Sequence, residues 1–358
     1  MKLPSHGSNP SYLYQALEIP LPDKIIDFSV NLNPFGPPLK IKESWSAWLP
    51  LIEDYPDPHG TELIQLISET EGIDTENILL GNGAAELISL VLNYLAEKHI
   101  GIIQPAFSEY EKAARANRCH VTYIHLPKDN WSLDAETLSG KLDSLDALFF
   151  CNPNNPTGIS YSSAILLDML KVCEKHHCYL IIDEAFLDFL EDGQSLSHFI
   201  TESNYLIILR SLTKMYAIAG LRLGFLMTNQ KLLEKLQCMQ PHWNVNALAL
   251  EAGKAALKDK DYVYQTKLYV RKERERMIYE LKHLGYQLSE SKVNFYLLRD
   301  PSLHNQSPLI HYLMQKGIVP RHTENYPGLN GRWLRFAVRQ QDDNNILLEA
   351  LTAWKQES

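Results

Sequence analysis

A chain of 358 residues, 45% apolar and 22% charged, has the balance of an ordinary globular protein with room for a sizeable core, which excludes disordered and fibrous classes. Its formal charge of -9 works against a nucleic-acid partner, because phosphate-backbone binding needs a concentrated basic face. No apolar run reaches bilayer-spanning length, and the opening MKLPSHGSNP lacks the apolar stretch of a secretion signal, so no membrane association and a cytoplasmic location are expected.

In chain order, residues 1–40 are rich in Pro and Asn and are expected to join a small domain and the substrate site. They contain no basic cluster or helix-turn-helix pattern, which argues against a DNA-binding regulator. Residues 41–250 alternate short apolar runs with helical patterns: NILL before GAAELISLVLNYLAEKH, HIGIIQP before FSEYEKAARANR, then HVTYIHL, DALFFCNP, a helix over 163–177, YLIIDEAF, NYLIILRS and LGFLMT. Runs apolar throughout and separated by helices predict a mainly parallel sheet covered on both faces, the centre of a large doubly wound α/β domain. From about residue 245 a long charged helical stretch leads to NFYLLR, a short helix, GIVPR and WLRFAV, which predicts a connecting helix and a small α+β domain over 251–358. The run RKERER in that stretch reads as a solvated helix face.

The five cysteines, Cys119, Cys151, Cys173, Cys178 and Cys238, are odd in number and irregularly spaced, so no disulfide framework is expected. CEKHHC, residues 173–178, has zinc-ligand residue types, but it lies where an amphipathic helix meets a buried strand, and that setting accounts for each residue without a metal.

Chemistry concentrates where apolar runs end. Lys214 in SLTKMYAIAGLRLGF follows a buried strand, at the carboxyl edge where ligands of open α/β sheets collect. Ser211 before it and Arg222 after it could reach one phosphate. Asp183 ends YLIID; a carboxylate there is costly unless it meets a cation such as a protonated ring nitrogen, or caps the following turn. Asn155 in NPNNPTG sits on a third strand-end turn. In ILLGNGAAE, a glycine loop opens a helix whose Gly83 and Ala84 amides and dipole favour an anion. A dinucleotide fingerprint fits this loop poorly, since Glu86 stands where its third glycine belongs.

Together these segments resemble the fold-type I pyridoxal 5'-phosphate (PLP) family, the aspartate-aminotransferase-like fold, over nearly the whole chain. The resemblance implies a large domain with a mainly parallel seven-stranded sheet, a small α+β domain and PLP as cofactor. It also implies that Lys214 bonds to the cofactor, Asp183 pairs with its ring nitrogen and Asn155 contacts its ring oxygen. Gly83, Ala84, Ser211 and Arg222 would hold the phosphate, and Phe107 would stack on the ring, although an aromatic near a strand end also serves as core. Tyr55 in DYPDPHG matches a tyrosine that reaches the neighbouring subunit's cofactor, which implies a homodimer. One departure is Phe186, where family aminotransferases commonly have tyrosine.

Within the family the chain is similar to the histidinol-phosphate aminotransferases and, more closely, to the L-threonine-O-3-phosphate decarboxylases of cobalamin biosynthesis. HGSN, DFSVNLNPFG, DEAF, RSLTKMYAIAGLRLGF and ENYPGLNGRWLRFAVR carry that likeness. The second resemblance implies a phosphorylated amino-acid substrate and decarboxylation; the first implies transamination, and the bare residues do not choose between them. A substrate with both a carboxylate and a phosphate needs two further anion sites, for which Arg321 and Arg335 are suited by their planar permanent charge. His6, Asn31 and Asn155 complete the expected substrate set. A surface ion pair would equally explain either arginine, and a loose tail His6.

Overall fold

The computed structural model describes residues 3–128 and 130–357. Its strands, in chain order, are β1 (Ile26–Asp27), β2 (Ile78–Gly81), β3 (His99–Gln104), β4 (His120–His125), β5 (Ala147–Cys151), β6 (Tyr179–Asp183), β7 (Leu206–Ser211), β8 (Gly224–Thr228), β9 (Gln287–Leu288), β10 (Phe295–Arg299), β11 (Ile318–Val319), β12 (Arg321–His322) and β13 (Leu334–Ala337).

Seven strands form the main sheet in the order β2-β8-β7-β6-β5-β3-β4. All run parallel except β8, which is antiparallel to both its neighbours. Strands β5, β7 and β8 are buried at every position, as expected of a sheet with helices on both faces. Two apolar clusters cover it: one gathers Leu148, Leu180 and Ile208, the other Phe149, Ile181 and Ile207, so alternate residues of each strand point to opposite cores.

Register assembles the site. Cys151 pairs with Asp183, and Asp183 with Leu209, so Asp183 sits centrally at the carboxyl edge. Gly224 pairs with both Gly81 and Ser211, which draws the glycine loop and the Ser211 turn together. A Cβ on Gly224 would lie 2.7 Å from the Arg210 carbonyl and 3.0 Å from the Ala84 amide, so only glycine allows this approach.

The second layer is a four-stranded antiparallel sheet, β12-β13-β10-β9, flanked by the helices Ser307–Gln315 and Gln341–Glu357. The chain's beginning joins it: β1 pairs in parallel with β11, and Ile26, Phe28, Leu13 and Tyr14 share a core with Phe336, Leu313 and Leu347.

Two expectations need correction. The long helical stretch is two helices, Ala247–Lys258 and Lys260–His283, broken at Asp259, whose side chain accepts the Tyr262 N–H at 3.0 Å and caps the second. RKERER is not a solvated face throughout, because Glu273 and Arg274 are buried: Glu273 takes hydrogen bonds from Arg276 and Asn344, and Arg274 donates to the Val293 carbonyl. In CEKHHC, His176 faces Asp143 at 2.8 Å and His177 faces Tyr205 at 2.9 Å, while both thiols are buried. Among the described residues no group of three or more His, Cys, Asp or Glu is placed to hold a metal ion, and no helix is long and apolar enough to cross a membrane.

Candidate active site

A cavity of about 480 Å³ opens at the carboxyl edge of the main sheet, in the size range of small-molecule sites. It is lined by Ala84, Phe107, Asn155, Asp183, Ser211, Lys214 and Arg222 on one side and by His6, Asn31, Arg321 and Arg335 on the other. Of the residues singled out from sequence, Gly83 lies just behind this wall and Tyr55 lies outside it.

The anion cradle comes from three chain turns. Gly83 caps the helix Ala84–Tyr94 with φ 75°, a left-handed backbone that leaves the Ala84 and Ala85 amides facing the cavity. Glu86 accepts the Asn82 N–H at 2.5 Å and the Asn244 amide at 3.0 Å, so the acidic residue that spoils the dinucleotide pattern locks this loop instead. Arg222 also has a left-handed backbone, φ 59°, and its guanidinium lies over Gly83: a Cβ there would be 2.5 Å from Nη2. The Ser211 and Thr213 hydroxyls, 2.8 Å apart, complete the cradle.

Asp183 is fully enclosed at the base. Its Oδ2 accepts from the Tyr110 hydroxyl at 2.5 Å and its Oδ1 from the Ala185 N–H at 2.9 Å. Burial raises its carboxyl pKa, and these hydrogen bonds oppose the rise. Tyr110 stacks on Phe149 with ring centroids 5.3 Å apart, and its own pKa is pushed well up by burial and by Asp183, so it remains a donor. Lys214 is pushed down to about 8, first by burial, then by the positive charges of Arg335 and Arg222. A larger share of its amine is therefore neutral and nucleophilic near physiological pH than for a solvated lysine.

At the other end, Arg335 is buried and pushed down by desolvation to about 10, so it stays charged at neutral pH. It donates to Asn155 Oδ1 at 2.5 Å and to the Ser29 carbonyl at 2.7 Å, while its buried Nε finds no partner in the protein. Because arginine only donates, this contact fixes the Asn155 amide with its NH₂ left for the cavity. Asn31 is also buried with an unpartnered Oδ1. Its position follows from Asn33, which donates to the Met215 carbonyl at 2.8 Å and to Thr266 at 2.7 Å, and whose N–H bonds the Lys214 carbonyl at 3.1 Å. Arg321 donates to the carbonyls of His322 and Ser5 and to Asn325, and His6 lies 2.8 Å from Glu109.

Tyr110, Thr213, Asn33 and Glu109 escaped the sequence reading. Tyr110 was legible as an apolar position of the helix Ser108–Ala116, which hides its hydroxyl; the others carry no local pattern.

A glycine cradle that a Cβ would fill, a buried acid at the base, an aromatic wall and a lysine of lowered basicity fit a phosphorylated pyridine aldehyde, and they mark a PLP-dependent enzyme. The sequence pattern of the family "Aminotransferase class I and II" matches residues 23–351, and the chain belongs to that family. PLP is its cofactor. It is 35% identical to the threonine-phosphate decarboxylase of Salmonella typhimurium strain LT2, covering 97% of this chain and 95% of that protein. It is 31% identical to the adenosylcobalamin biosynthesis bifunctional protein CobDQ of Leptospira interrogans, covering 98% of this chain and 41% of that longer protein. The crystal structure of the histidinol-phosphate aminotransferase from Clostridium acetobutylicum superposes with a TM-score of 0.88 at 31% identity, covering 93% of this chain and all of that one.

Proposed function

We propose that this protein decarboxylates L-threonine O-3-phosphate to (R)-1-amino-2-propanol O-2-phosphate, a step of cobalamin biosynthesis. The observation that carries this reading is the far end of the cavity, where the buried Arg335 guanidinium keeps an Nε–H without a protein partner, beside Arg321 and His6. That end suits a substrate with two anionic groups in addition to the cofactor's phosphate. The similarity to threonine-phosphate decarboxylase supports the choice of substrate and reaction.

The bound cofactor supplies an electron sink for the pair left behind when a bond at Cα breaks. Asp183, whose ionised form the Tyr110 and Ala185 hydrogen bonds favour against burial, would hold a proton on the ring nitrogen. Ala84, Ser211 and Arg222 would fix the phosphate, and Phe107 one face of the ring. Arg335, with Asn155 beside it, would take the substrate carboxylate, while Arg321, His6 and Asn31 would take the substrate phosphate. Held at both ends, the substrate cannot swing, and its orientation determines which Cα bond breaks. Lys214 would return a proton to Cα after CO2 departs.

Tyr55 is 81% exposed and packs on Trp243 at 4.7 Å, beside Leu51 and a few residues along the chain from exposed Leu49 and Ile52. This apolar face supports a homodimer in which Tyr55 serves the neighbouring cofactor phosphate. We also place the enzyme in the cytoplasm, and divide it at 1–40, 41–250 and 251–358.

The test is incubation of the holoenzyme with threonine phosphate and no keto acid. The reading expects many equivalents of CO2 per site. A transaminase, the alternative suggested by the histidinol-phosphate aminotransferase likeness, would stop after one turnover with the cofactor in its amine form and no CO2.

A further inference from the structure

His6, Gly7 and Ser8 line the cavity, and Pro4 and Ser5 just before them are held by groups more than 300 positions away in sequence. The Ser5 carbonyl accepts from Arg321 Nη2 at 2.6 Å and from Asn325 Nδ2 at 2.9 Å, while Asn325 Oδ1 accepts from the same arginine nitrogen at 2.7 Å. The Pro4 carbonyl faces His322 Nε2 at 2.8 Å. His322 is buried and its pKa falls to about 3, from burial and then from Arg321, so it is a neutral ring that donates to Pro4. Gly7 passes so close to Ser29 that a Cβ would lie 2.7 Å from the Ser29 carbonyl, which leaves no room for a larger residue in the strap. His6, Gly7 and Ser8 then face the cavity, with the His6 ring 5.7 Å from Phe107 and its Nε2 on Glu109.

We infer that Asn325, with Arg321 and His322, clamps residues 4–8 as a strap that closes the cavity mouth and presents His6 to the substrate's phosphate. Asn325 is thus a positioning residue: it touches no reacting atom and acts through the backbone that carries His6. Two geometric facts favour this over an incidental contact. The strap is gripped at two successive carbonyls, which fixes its direction as well as its position. Its far side bears on Glu109 of the helix Ser108–Ala116, which packs on the main sheet, so the strap bridges that sheet to the C-terminal layer. Glu109 occupies the His6 ring in the absence of substrate, and an incoming phosphate competes with it for the same nitrogen. A substrate lacking that anion leaves His6 on Glu109, so the strap selects for phosphorylated substrates.

This inference rests on the proposed substrate only for its kinetic arm; the clamp itself is tested without substrate. Asn325→Asp keeps an acceptor for Arg321 but removes the donor to Ser5 and adds a negative charge, and Asn325→Ala removes both hydrogen-bonding groups without adding charge. In holoenzyme without substrate, amide hydrogen exchange of residues 5–8 is expected to rise in both variants while the thermal midpoint and cofactor content stay put. In Asn325→Ala, KM for threonine phosphate is expected to rise roughly three- to tenfold, the span of one hydrogen bond, with kcat changed by less than about twofold. Unchanged strap exchange in both variants would overturn the clamp. Faster exchange with unchanged KM would overturn its role in substrate binding. Absence of CO2 release by the wild-type enzyme would instead contradict the proposed reaction and leave the exchange result to judge the clamp alone.

Discussion

The two ends of the cavity are built on different plans. The end proposed to hold the cofactor is made by the carboxyl ends of the buried strands β2, β6 and β7, so Asp183, Ser211 and the Gly83 loop are fixed by sheet register. The substrate end is made by chain segments meeting from opposite termini: β1 against β11, the strap against Arg321 and His322, and Ser29 against Arg335. The difference teaches where rigidity is needed. The groups proposed to hold a permanent cofactor stand on the most deeply buried layer, and those proposed to admit and release a substrate stand on a layer joined by a few polar bonds.

Substitutions at each end sharpen that contrast. Lys214→Ala should have the largest effect, lowering kcat at least a hundredfold, within the span of lost acid–base catalysis, with little change in stability; turnover assays and thermal melts check both. Arg335→Ala removes a charged donor from the substrate end and should lower kcat/KM roughly ten- to a hundredfold, and Arg335→Lys should recover only part because lysine cannot supply the paired fork. The two ends are coupled through charge: Arg335 is the second cause, after burial, of the lowered Lys214 pKa of about 8. In cofactor-free protein, Lys214 should therefore gain reactivity toward acetic anhydride as pH rises through about 8, and in Arg335→Ala the midpoint should move up. No upward movement would mean that the ends act independently.

Tyr110→Phe should act at the cofactor end alone. It removes a hydrogen bond that favours ionised Asp183, so the carboxyl pKa rises further above its usual range. The ionised form then survives only at higher pH, and cofactor affinity should fall about three- to tenfold, more at acidic than at alkaline pH, by equilibrium dialysis. Tyr55→Phe should have the smallest effect, about twofold on cofactor affinity in the dimer and none in a monomer, which sedimentation and titration together would resolve.

The same division governs what was legible. Strand ends announce themselves as apolar runs that stop, so Asp183, Lys214 and the glycine loop could be read from local pattern, and their roles from the family resemblance. Gly224 could not, because its need for close approach arises from pairing with Gly81 and Ser211 at once. Asp259 was missed as a break because its neighbours are good helix formers on both sides, and the helices are separated by its own non-helical backbone and its capping bond to Tyr262. Asn33, Asn325 and Glu109 act through contacts between distant segments, and such contacts leave no periodicity to find.

The central claim is that Lys214 is the covalent anchor of the cofactor. Borohydride reduction of the holoenzyme, followed by digestion and peptide mass analysis, tests it most directly. The expected result is loss of the visible absorbance band and a single pyridoxyl-labelled peptide carrying Lys214. A label on another lysine, or a coloured protein that reduction leaves unlabelled, would contradict it.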